Sequence, residues 1–206
     1  MTSAAQPAGV ERYDVRTIVG GGIKLGLITA VGVTAFALLS RSLSGGTNET
    51  IVQALVVLVG GLVFSYLPAW WVHPRSVDSI AWTALLGLLG ALSFTVIDTV
   101  LLRPLELYHW TWDAIGGGSG FWYIPSWWMG SAVLAWLGAW VVAIAAGSKD
   151  GVHLVAIAGH TAGLAVGVFA ILTVTGIGPF HTAMMALAFT LALMLHVPLA
   201  TVLHRR

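Results

Sequence analysis

Residues 17–40 read TIVGGGIKLGLITAVGVTAFALLS, a run of apolar and small residues broken by one charge, Lys24. An α-helix rises about 1.5 Å per residue, so this run is long enough to cross the roughly 30 Å hydrocarbon core of a bilayer. Five more runs of the same character lie near 50–71, 79–102, 126–146, 152–174 and 181–203. Together they use most of the 206 residues. The expected architecture is therefore all-α: a single polytopic domain over residues 1–206, built as a bundle of six transmembrane spans.

The composition agrees. The chain is 58% hydrophobic and only 8% charged, whereas charged residues make up about a quarter of a soluble protein. Most of its surface must therefore meet membrane lipid. There is no cysteine, which excludes disulfides, thiolate nucleophiles and Cys-ligated metals or clusters. A net charge of +1 provides no basic field for nucleic acid. The first apolar run follows a polar start and is too long for a signal-peptide core, so no cleavable signal is expected.

Orientation follows from the basic residues. With six spans both termini share one side, which holds Arg12, Arg16, Arg75, Lys149, Arg205 and Arg206. The opposite loops hold Arg41 and Arg103. The positive-inside rule puts both termini in the cytoplasm.

Four connections are short polar or Gly/Pro turns: SRSLSGGTNET, VHPRSVD, GSKDG and TGIGPF. The third is different. Between spans 3 and 4, near 103–125, lies a long aromatic outer loop, and the stretch Tyr108–Trp128 carries five of the ten tryptophans. Disordered segments are poor in aromatics, so an ordered cap is expected.

Ionisable residues within a bilayer are costly and often functional. Lys24, His160 and His196 all fall about 12 Å from the cytoplasmic ends of their spans. A His160–His196 pair could ligate haem iron or copper. The same residues also suit interhelical hydrogen bonding, with His196 serving the carbonyls freed by Pro198, and Lys24 can snorkel to the interface. Gly159, Gly163 and Gly167 form an i, i+4, i+8 ridge for close helix packing, with Gly22 and Gly26 of the first span as a candidate partner.

On the outer face, Asp98, Glu106, His109 and Asp113 stand among Trp and Tyr residues. A carboxyl in an apolar setting can act as a proton donor, and aromatic faces stabilise a developing cation. Such a site would protonate an alkene. Two plainer readings fit the same residues: an interfacial aromatic belt, and a pairing of Asp98 with Arg103.

The order of residues over 98–130 is DTVLLRPLELYHWTWDAIGGGSGFWYIPSWWMG. It resembles a signature of the integral-membrane carotenoid biosynthesis family that includes the bisanhydrobacterioruberin hydratases. The matching positions are Asp98, Pro104, Trp110, Trp112, Asp113, Gly116 to Gly118, Trp122, Tyr123 and Pro125. The resemblance implies addition of water to a carbon–carbon double bond of a long isoprenoid, with no organic cofactor. Asp98 and Asp113 would be the acid/base pair. Trp110, Trp112, Trp122, Tyr123 and His109 would shape the site around an isoprenoid or pigment. Two other expectations compete: a non-catalytic subunit held among other membrane subunits, and a haem or copper protein built on His160 and His196.

Overall fold

The structure, a computed structural model, describes residues 10–43, 46–106, 120–148 and 151–203. The six expected spans are all present. They are α1 (Val15–Ser42), α2 (Thr47–Val72), α3 (Val77–Ile97), α4 (Gly120–Ala146), α5 (Leu154–Val174) and α6 (Thr182–Leu203). A π-helical turn, Asp98–Leu102, extends α3. The described residues contain no strand. All six helices are long and apolar enough to cross a membrane, so the chain is a multi-pass integral membrane protein in contact with lipid.

Local chemistry sets the helix ends. Asp14 caps α1, its carboxylate accepting from Thr17 N at 3.0 Å and Thr17 Oγ1 at 2.7 Å. Those bonds hold the Asp14 carboxyl below its ordinary pKa of 3.8, the Thr17 hydroxyl contributing most. Ser76 and Ser79 form a reciprocal capping box on α3. α2 stops at His73, which adopts left-handed backbone (φ 55°, ψ 59°) and is followed by Pro74. α4 begins at Gly120, six residues before the expected start of the fourth span at 126. Pro125 is the sixth residue of α4, so the carbonyl of Phe121 receives no helical N–H. The connection between α3 and α4 is shorter by the same margin.

The bundle has two flanks. α1 packs chiefly on α3 and α5 chiefly on α6, while α2 and α4 bridge them. Missing side chains set the closest approaches. A Cβ on Gly26 would lie 2.5 Å from Ser93 Cβ and 2.9 Å from Phe94 N. One on Gly138 would lie 2.1 Å from the Ser65 carbonyl oxygen. Gly22 and Gly26 thus seat α1 on α3, and the expected pairing with the α5 glycines does not occur. Around Gly159, Gly163 and Gly167, a Cβ would meet no described atom within 4 Å. That ridge faces outward because α5 turns its buried side, Ile157, Thr161, Ala165 and Phe169, toward the bundle.

Candidate functional site

Asp98 opens the π-helical turn, which Arg103 N closes by donating to the Asp98 carbonyl at 2.9 Å. Single π turns within helices are rare and recur at functional sites. Here the extra residue in the turn carries an acid inward. Asp98 is 3% exposed. The Arg103 guanidinium, nearly half exposed, donates from Nε to Oδ2 at 2.8 Å. The pairing read from the sequence as one alternative is therefore formed.

Aromatic residues close over this end of the bundle. Trp127 lies 6.2 Å from Phe94 between ring centroids, in a cluster with Ala30, Ile97 and Leu102. Trp128 donates from Nε1 to Thr95 Oγ1 at 3.0 Å. The indole N–H of Trp127 is buried and has no hydrogen-bond partner. A buried donor left unmade costs on the order of 1–3 kcal/mol. The cluster therefore holds an unused polar valence next to the turn that bears Asp98. Beyond it, Glu106 takes left-handed backbone (φ 49°), and its carbonyl accepts from the Arg41 guanidinium, tying the loop entrance to the end of α1.

His109, Trp110, Trp112 and Asp113 lie outside the described residues. Trp122 and Tyr123 belong to the first turns of α4, where the backbone alone is described. The sequence pointed to the outer aromatic residues as a group. It did not single out Trp127, whose orphaned N–H depends on packing against α3.

The two deep histidines do meet. The rings of His160 and His196 are 6.3 Å apart at 79°. His196 is 4% exposed, while His160 is on the exposed side of α5. His196 Nδ1 lies 2.7 Å from Thr161 Oγ1, and Tyr66 Oη reaches the same hydroxyl at 2.5 Å. Thr161 has one proton to give, and the Ile157 carbonyl at 3.2 Å accepts only. That proton serves one neighbour at a time, so the roles of Tyr66 and His196 follow the His196 tautomer. A buried polar chain thus links α2, α5 and α6. His196 reaches Thr161 through this nitrogen. No group of three or more His, Cys, Asp or Glu able to hold a metal occurs among the described residues.

At the opposite membrane end from Asp98, a cavity of about 580 Å³ opens between α1 and α2. It takes in Lys24, read from the sequence as a snorkelling residue, together with Arg12, Arg16, Trp71 and His73, which sequence reasoning did not gather. The signal was present in the helical spacing of Arg16, Gly20 and Lys24. Comparison with protein-family models, with curated proteins and with solved structures finds no match.

Proposed function

We propose that this membrane protein handles an isoprenoid-like hydrocarbon at its outer end, adding water to a carbon–carbon double bond. The observation that carries the reading is the burial of Asp98 in a π turn beside an aromatic cluster holding an unpartnered Trp127 N–H. Hydration needs a proton delivered to one alkene carbon, a cation held on its neighbour, and a water that loses its proton as it adds. Asp98, held against Arg103, suits the base and the electrostatic stabiliser of the cation. The proton donor in this scheme is Asp113, in the loop. The Trp127 N–H suits the oxygen of the entering water or of the product hydroxyl. Both termini would face the cytoplasm by the excess of Lys and Arg on their side.

The test is turnover of a linear polyene isoprenoid by the purified protein, read as an 18-dalton mass gain. General acid–base groups contribute roughly 10²–10⁴ in rate, so Asp98→Asn should lose at least about a hundredfold while remaining folded. Full activity in that variant would refute the assignment, as would absence of turnover in the parent protein.

The α5 ridge favours a second reading, a non-catalytic subunit of a larger membrane complex. α5 is the least buried span, and Gly159, Gly163 and Gly167 offer a smooth face to another helix. This reading predicts partner chains that copurify in fixed ratio and are lost in Gly163→Leu.

A further inference from the structure

The cavity between α1 and α2 lies at the membrane end opposite Asp98 and has no part in the chemistry proposed above. Its wall is built by helical spacing. Arg16, Gly20 and Lys24 recur every four residues on one face of α1, and Arg16 and Lys24 are separated by roughly 12 Å along the axis. Arg12 precedes the helix and is held over the cavity by two anchors. Its backbone N–H donates to the Val72 carbonyl at 2.8 Å. The Glu11 carboxylate accepts from Arg75 N, Ser76 N and the Ser76 and Ser79 hydroxyls at the start of α3. The facing wall is the C-terminal end of α2, with Trp70, Trp71 and His73.

The charge of this cavity is unbalanced. Among the described residues, three cations line it and no carboxylate does. The two acids nearest in sequence are already used, Glu11 on α3 and Asp14 on the α1 cap. Among the described residues, the only ion pair is Arg103–Asp98. Helix dipoles do not restore balance. The end of α2 supplies about half a negative charge and the start of α1 about half a positive one. His73 adds an imidazole whose Nδ1 is buried without a hydrogen-bond partner. It does so from left-handed backbone, where glycine would be free of strain. Gly20 leaves the space open, since a Cβ there would meet nothing within 4 Å.

Three cations, the His73 ring and two indoles at the edge of the hydrocarbon describe a receptor for an anion with an apolar tail. Guanidinium groups match phosphate oxygens in a bidentate fork. Val19, Ile23 and Leu27, exposed on the adjoining stripe of α1, offer a path for a chain in lipid. We propose that this cavity binds the phosphate head of a membrane amphiphile, a phosphate monoester or diphosphate on a hydrocarbon chain.

The test uses the full-length protein, delipidated in neutral detergent and titrated calorimetrically with dodecyl phosphate, inorganic phosphate and dodecanol. Dodecyl phosphate should bind saturably, one per chain. Lys24→Met and Arg16→Gln should each weaken it about tenfold, the worth of one charge-assisted hydrogen bond. Gly20→Phe, whose Cβ meets nothing within 4 Å and whose ring adds bulk to the cavity wall, should abolish it. Arg75→Gln removes a cation at the same membrane end but outside this cavity, and should change binding by less than about twofold. Inorganic phosphate binding as tightly would overturn the amphiphile in favour of a soluble anion, and equal binding of dodecanol would show that the head is not recognised. An Arg75→Gln loss as large as that of Lys24→Met would show diffuse surface charge in place of a site. If Gly20→Phe does not fold, Lys24→Met and Arg16→Gln still decide the outcome.

Discussion

Two glycine-to-alanine changes, chemically identical and structurally opposite, test the helix packing. At Gly138 the added Cβ would lie 2.1 Å from the Ser65 carbonyl oxygen and 2.7 Å from its carbon. Both are backbone atoms and cannot rotate aside, so α2 and α4 must part by roughly 1 Å through a close-packed contact. Overpacking of this kind costs about 1–3 kcal/mol. At Gly163 the same methyl meets no described atom within 4 Å. Alanine gains up to about 1 kcal/mol over glycine in helix propensity at both positions, so that benefit cancels between them. The difference in stability therefore isolates the steric term. Gly138→Ala should fall about 1–3 kcal/mol below Gly163→Ala, with Gly163→Ala at or above the parent. Reversible unfolding in mixed micelles, followed by circular dichroism against denaturing detergent, measures both. Agreement of the two variants within about 0.5 kcal/mol would refute the α2–α4 crossing described here.

Thr161→Val removes the hydroxyl shared by Tyr66 and His196. Interhelical hydrogen bonds in membranes are worth about 0.6 kcal/mol on average and seldom exceed 2, so the loss should be about 1–2 kcal/mol. Thr190→Val, whose hydroxyl bonds only back to the Ala186 carbonyl of its own helix, should cost less than about 0.5 kcal/mol in the same assay. The Glu11 carboxyl is held below its ordinary pKa of 4.5, most strongly by the Ser79 hydroxyl, against a smaller opposing effect of burial. A depressed folded-state pKa gives stability that is complete above 4.5 and is lost as pH falls through the folded value. Melting curves from pH 7 to pH 3 should show this acid-side loss in the parent and a shallower one in Glu11→Gln. Equal slopes would remove Glu11 as the anchor of the segment that carries Arg12.

The spans were legible because hydrophobic length is a one-dimensional property. Each apolar run became a helix within a few residues, and Asp14 and Ser76 mark two starts by their side chains alone. Helix rotation was much less legible. The ridge Gly159, Gly163 and Gly167 and the pair Gly22 and Gly26 carry the same spacing, yet one faces outward and the other seats α1 on α3. Which stripe is buried depends on Thr161 finding Tyr66 and His196 across the bundle, information held on three helices. Asp98 was visible as an acid near a span end, and Arg103 as its plausible partner five residues on. The π turn that brings them together is a backbone choice with no residue signature. The cationic cavity joins Arg12, Arg16 and Lys24 to Trp71 and His73 on the following helix, so its recognition required the α1–α2 packing.

The proposed chemistry at Asp98 requires that the outer end hold a hydrocarbon substrate. The most direct measurement is an absorption spectrum of the gently purified protein, with pigment extraction and metal analysis of the same sample. An isoprenoid or carotenoid bound in near-stoichiometric amount, lost on disruption of the outer aromatic cluster by Trp127→Ala, is the predicted result. A colourless preparation free of isoprenoid would contradict the account, as would a haem band or bound copper that disappears in His196→Ala.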